Sequence, residues 1–213
     1  MLSLRVARFV LERVAQEGSK NDDETSSEKT YVSIITETIK NSRHEVGLQE
    51  DEDFQQYYEL ICARMLLLPH GIQQIRTRGL SIHQVVTCDR FAEFFRLMDN
   101  SLRDKYDQQE NAFHPSRIRL VHRQYLQLDR DGNGMLSMNE LQDYGKKRAF
   151  NPTGNEPTHD LTDAFVSHVF AEVPTFNGEM DYHAYLDFTL VLNDKVSTTA
   201  LRVSCRFGLS TRN

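Results

Sequence analysis

Residues Asp129 to Glu140 read DRDGNGMLSMNE, and their spacing decides what the surrounding chain must be. Oxygen-bearing side chains stand at the first, third and fifth places (Asp129, Asp131, Asn133), glycine at the sixth (Gly134) and glutamate at the twelfth (Glu140). This is the pattern D-x-[DN]-x-[DN]-G-x₅-E. Calcium is a hard cation that takes about six to eight oxygen ligands. The pattern offers the side chains of Asp129, Asp131 and Asn133, then the Met135 carbonyl at the seventh place. Ser137 at the ninth acts directly or through water, and Glu140 closes the shell with both oxygens. Gly134 permits the sharp turn, because glycine takes positive φ cheaply. Leu136 at the eighth place is apolar and points inward, where a paired loop would meet it. The expectation is a calcium loop between two helices; the competing reading is a calcium-free loop of the same shape.

The flanks agree. Ile118, Val121, Tyr125 and Leu128 recur at helical spacing, behind His114-Pro115 and with Ser116 as the expected cap. An exiting helix is expected over about Met138 to Lys147, with Leu141 and Tyr144 inward. NPTGNEP at 151–157 ends it with two prolines. Asp160 is then the expected cap of a helix carrying Leu161, Phe165, His168, Val169 and Phe170.

A second loop, VPTFNGEMDYHA (Val173 to Ala184), lies over the same frame, with Gly178 sixth and Met180 eighth. Its first, third and twelfth places hold Val173, Thr175 and Ala184, which are poor ligands or none. Asn177, Glu179 and Asp181 are too few to enclose an ion, so this hand is expected to be empty. Its use is structural: a short strand pair would set Leu136 opposite Met180 and bury both. The exiting helix, Asp181 to Leu192, is rich in Tyr182, Tyr185, Leu186, Phe188, Leu190 and Val191.

The N-terminal half carries weaker signals. Residues 1–17 read as an amphipathic helix; Arg5, Arg8 and Arg13 against Glu12 also allow a mitochondrial presequence. Residues 18–53 read as a polar linker holding a short helix at Tyr31 to Lys40. Phe54 to Leu68 is a helix with Phe54, Tyr57, Tyr58, Ile61, Cys62, Met65 and Leu68 on one stripe, broken by Pro69, His70 and Gly71. The run from Ile72 to Val86 repeats the plan of loop, short extended piece and helix without acidic ligands, so residues 54–112 read as a degenerate, metal-free hand. Phe91, Phe94, Phe95 and Met98 sit at core spacing over Arg90 to Met98. Residues 113–201 form the hand pair, and 202–213 a frayed tail.

Composition narrows the function classes. The chain has 213 residues and net charge −6, with no basic face suited to nucleic acid. The longest apolar run, Met65 to Leu68, is far too short to span a membrane. Three cysteines, Cys62, Cys88 and Cys205, lack the spacing of a disulfide framework or a zinc site. The eight histidines show no i, i+4 zinc pair. Asp181-Tyr182-His183 resembles a metallophosphoesterase element, but the rest of that set is missing. No phosphate loop or nucleophile elbow occurs. Cys62 lies on an apolar stripe without an activating base and reads as core. No catalytic set is present, and the chain is not expected to be an enzyme.

The run VHRQYLQLDRDGNGMLSMNELQDYG, followed by GEMDYHAYLDFTLVL, resembles the B-double-prime regulatory subunits of protein phosphatase 2A. The gamma-type branch, which includes the FASS proteins of plants, is the most similar. RTRGLSIHQVV and FAEFF are similar to that family's degenerate hand. The resemblance is strong over Phe113 to Leu201, weaker over Phe54 to Leu97, and does not extend to residues 1–50. It implies an all-α fold of EF-hand-like helix–loop–helix pairs, with short antiparallel strand contacts between loops. It implies a non-catalytic subunit that sits with the phosphatase scaffold and catalytic subunits and directs them to cytoskeletal or cell-cycle substrates. A cytoplasmic or nuclear location follows, with centrosomal or microtubule association. The direct match carries calcium onto Asp129, Asp131, Asn133, Met135, Ser137 and Glu140. Family members continue past Arg202 with a further helical segment, where this chain has VSCRFGLSTRN, so a truncated form is expected. The alternative function is a stand-alone calcium-binding adaptor or buffer.

Overall fold

A computed structural model describes residues 35–42, 46–48, 51–70, 84, 87–98, 110–144 and 161–193. The expected helix at 1–17, the first part of the linker that follows it (18–34), the loop of the degenerate hand and the tail lie outside these residues. So do the proline-bounded stretch at 151–157 and the expected cap Asp160. Helix α1 spans Glu52–Leu67, α2 Asp89–Met98 and α3 Pro115–Leu128. Strand β1 (Met135–Leu136) and the short helix α4 (Met138–Leu141) follow. Next come α5 (Asp163–Glu172), β2 (Thr175–Phe176), β3 (Glu179–Asp181) and α6 (Tyr182–Asn193). The chain forms two compact units, Met1–Arg119 and Leu120–Asn213, and the division falls within α3.

In the first unit, residues 35–42 are helical and bury Ile35 and Ile39, as the short amphipathic helix requires. Helix α1 starts two residues before the expected Phe54, because the Asp51 side chain accepts from the Phe54 amide and caps it. Its stripe buries Phe54, Tyr58, Ile61, Cys62 and Met65. Tyr57 is exposed, a correction to the expected stripe. It adjoins the fully buried Tyr58, and successive helical residues point about 100° apart, so the turn that buries Tyr58 leaves Tyr57 at the edge of the stripe. The end of α1 tightens into a 3₁₀ turn at Leu68–His70, ahead of Gly71.

Helix α2 buries Phe91, Phe94, Phe95 and Met98, so the aromatic stripe is core. The segment before α3 is latched to these helices. Tyr58 Oη donates to the Phe113 carbonyl at 2.7 Å, the Asn111 amide nitrogen donates to the Glu93 carbonyl at 2.9 Å, and Phe113 meets Phe94 edge-on at 5.3 Å. Arg119 pairs with the Asp51 carboxylate and lies 4.1 Å from the centre of the Phe54 ring. Helix α3 starts at Pro115, a residue suited to the first helical position. His114 Nδ1, rather than the expected Ser116 hydroxyl, takes a free amide there, accepting from Ser116 N at 3.3 Å.

The second unit centres on a three-stranded antiparallel sheet of order β1-β3-β2. Met135 faces Asp181 and Leu136 faces Met180 in register, the contact expected from the two eighth places. Both Leu136 and Met180 are fully buried. Leu128, Leu141, Val166, Val169, Tyr185 and Phe188 are buried in the same unit. In the exiting helix of the first loop the α-helix tightens after Leu141 into a 3₁₀ turn at Gln142–Tyr144, and the rest of its expected span, to Lys147, lies outside the described residues. Tyr144 still faces inward, against Phe188 at 5.3 Å and with its hydroxyl 2.5 Å from that of Thr189. Helix α5 is capped by Thr162, whose side chain accepts from Phe165 N at 3.3 Å. Among the described residues, no helix is long and apolar enough to cross a membrane.

Leu136 is at once a ladder residue and a core residue. Leu136→Ala should lower unfolding stability by about 2–5 kcal/mol, read from chemical denaturation, with the exposed Leu126→Ala as a near-neutral control.

Candidate metal centre

The first loop is built by its own backbone. Asp129 ends the α3 turn, its amide bonded to the Tyr125 carbonyl at 2.9 Å. Its Oδ2 accepts from Gly134 N at 3.0 Å, across the sharp turn where Gly134 has φ of 77°. Asp131 Oδ1 accepts from Asn133 N at 3.1 Å, and Asn133 Oδ1 from Met135 N at 2.7 Å. These successive side-chain-to-amide turns coil the loop inward, as short polar side chains do. β1 then leads out of the loop and places the Met135 carbonyl on an extended backbone.

Ser137 and Glu140 form a capping box at the start of α4. Ser137 N donates to Glu140 Oε2 at 3.0 Å, and the Ser137 hydroxyl donates to the same oxygen at 2.8 Å. Glu140 Oε1 reaches back to accept from Arg130 N at 2.9 Å, joining the end of the loop to its beginning. Glu140 is buried, and burial pushes its carboxyl pKa up. The bonds from Ser137, then from the Arg130 and Asp131 amides, outweigh burial and hold it below the usual value.

The structure brings Asp129, Asp131 and Glu140 together: one oxygen of each lies within 4.8 Å of the others. Asn133 and Met135 belong to the same turn, whereas the Ser137 hydroxyl is engaged in the cap. Asp129 Oδ1 is buried and accepts no hydrogen bond. Three converging carboxylates repel one another, and a buried acceptor without a donor is costly. A cation among them removes both penalties, so the donor set fits a hard, oxygen-seeking ion.

The second loop takes another form. Asn177 and Gly178 both have positive φ, 54° and 82°, and join β2 to β3 as a two-residue hairpin with Phe176 facing Glu179. That is the Asn-Gly turn whose twist matches paired strands. Sequence spacing places these residues in the twelve-place frame and misses the hairpin, although Asn-Gly between two short strand runs is its usual signature. Asp181 is likewise engaged, accepting from Ala184 N at 2.8 Å as the cap of α6. His183 is exposed beside it. A residue not foreseen at the first site is Glu179, whose Oε2 accepts from Asn133 Nδ2 at 3.3 Å. Cys62 is wholly buried and its thiol pKa is pushed far up by burial, consistent with core rather than chemistry.

The lowered Glu140 pKa fixes a sign. A carboxylate held more acidic in the folded state adds stability above its unfolded pKa and loses it as pH falls through the folded one. With chelator present, wild type should therefore be more stable than Glu140→Gln at neutral pH. The difference should vanish as pH drops below the ordinary glutamate range, read from denaturation midpoints.

No protein-family profile matches the chain. The B''-gamma regulatory subunits of serine/threonine-protein phosphatase 2A from Bos taurus and from Homo sapiens are 35% identical over 153 residues, 71% of this chain and 30% of each relative. The Danio rerio protein is 33% identical over the same length. The match thus spans about 30% of the length of these curated relatives. A solved structure named as a PP2A PR70 holoenzyme, with diCa in its name, aligns with a TM-score of 0.64. The alignment covers 94% of this chain and 67% of that one at 11% identity, and supports the EF-hand-like helical fold alone. The sequence relationship carries the lineage: the chain belongs to the B''-type regulatory subunit family of protein phosphatase 2A, through its kinship with the gamma branch.

Proposed function

We propose that this chain is a non-catalytic, calcium-binding regulatory subunit that joins the scaffold and catalytic subunits of protein phosphatase 2A and directs them to cytoskeletal or cell-cycle substrates. The observation that carries the reading is kinship with named regulatory subunits at 35% identity over 153 residues. The converged carboxylates of Asp129, Asp131 and Glu140 supply the calcium part. Asn133 and the Met135 carbonyl would complete the shell, with Ser137 acting through water while its hydroxyl caps α4. The ion would offset the repulsion among the three acids and give Asp129 Oδ1 its partner. Because β1 leaves this loop and pairs with β3, ion binding would add directly to the stability of the paired hands. Such a site favours a shape held for a partner over a switch. The proposed location is cytoplasmic or nuclear, with centrosomal or microtubule association.

Titration calorimetry should give one calcium site per chain, with Kd on the order of 10⁻⁷ to 10⁻⁵ M, and Glu140→Gln should weaken it to above about 10⁻⁴ M. The full chain used as bait should recover scaffold and catalytic subunits when calcium is present. Calcium binding without recovery in either calcium or chelator would assign the chain to the adaptor or buffer class instead.

A further inference from the structure

The second hand reaches into the first. Glu179 opens β3, immediately after the Asn177-Gly178 turn, and its Oε2 lies 3.3 Å from Asn133 Nδ2. The same Asn133 nitrogen donates to Asp131 Oδ2 at 3.1 Å. Both hydrogens of the amide nitrogen are thus placed, one toward each carboxylate. A side-chain amide has a donor end and an acceptor end, and its orientation is set by what surrounds it. Turned the other way, Asn133 would hold its carbonyl oxygen against two carboxylates and its NH₂ against the Met135 amide. The observed orientation turns Oδ1 away from them, where it accepts from Met135 N at 2.7 Å.

Glu179 is not one of the converging carboxylates, which are Asp129, Asp131 and Glu140. Its place on β3 is fixed by two ladders: Glu179 faces Phe176 across the hairpin, and its neighbour Met180 faces Leu136. We propose that Glu179 is a positioning residue for the calcium loop: from the second hand, it locks the Asn133 amide so that its oxygen is the atom offered to the ion. The hand that lacks ligands of its own then contributes to the affinity of its neighbour. This inference rests on the calcium reading of Asp129 to Glu140.

Calcium titration of the full chain as wild type, Glu179→Gln and Glu179→Ala separates the possibilities. Glutamine keeps an acceptor oxygen without the charge; alanine removes both. Glu179→Ala should raise the calcium Kd about fivefold or more, toward the roughly 10–100-fold seen when groups orienting a metal ligand are lost, while Glu179→Gln stays near wild type. Melting temperatures in chelator should be the same for all three, and in calcium only Glu179→Ala should fall. Equal weakening by both substitutions would assign the effect to charge and overturn the positioning role. So would an alanine variant that binds as wild type does, or one that melts lower without calcium. If wild type itself binds no calcium, the reading of the site fails first, an outcome distinct from these.

Discussion

Leu136 against Met180 is the contact on which the second unit depends. Each residue sits in a short strand, each is fully buried, and their pairing joins one helix–loop–helix to the next. A single helix–loop–helix presents apolar faces that it cannot cover alone, and the partner hand covers them. Once β1 and β3 are in register, Tyr125, Tyr182 and Tyr185 meet within 4.6 to 6.2 Å, and Tyr144 closes on Phe188. Edge-on, tilted and stacked ring pairs of this kind add to area burial. The ladder therefore fixes which helix faces meet.

This dependence explains why a loop without good ligands persists beside one that has them. In the first loop, backbone turns aim carboxylates inward, at the cost of mutual repulsion. In the second, the same length of chain is used for an Asn-Gly turn and a third strand. Position nine does the same task in both: Ser137 caps α4 and Asp181 caps α6. What differs is the first and third places: Asp129 and Asp131 stand where the other loop has Val173 and Thr175, while the fifth is asparagine in both. Among the described residues the second loop brings no three carboxylates together, and ladder hydrogen bonds and a glycine at φ of 82° hold its shape.

Much of this is legible in the chain, for a definable reason. The candidate ligands lie within twelve consecutive residues, so their geometry is a local property and spacing alone places them. The Leu136–Met180 contact is legible because two loops of equal frame put their eighth residues together. What escapes depends on competition between near-equal local choices. Ser116 and His114 could both cap α3, and Thr162 competes with Asp160 for α5; composition does not rank such neighbours. Tyr57 fails as a core residue because it stands at the edge of the apolar stripe, one residue from the fully buried Tyr58. Asn177-Gly178 fits the calcium frame by count alone, although both residues favour positive φ, which suits a hairpin better.

Glu179 escapes for a different reason, and it shows how sequence spacing can mislead about a binding loop. Counted within its own loop, it is a leftover acid in a set too small to hold an ion. Placed by β3, it faces outward from that loop and meets Asn133 of the other. An acid's role is set by the nearest donor in space, and strand pairing brings residues 46 positions apart to 3.3 Å. The ligand count of one loop is therefore not the whole description of its affinity. The constraint that buries Leu136 and Met180 also decides which carboxylate orients which amide, so packing and ion recognition in this unit rest on the same ladder.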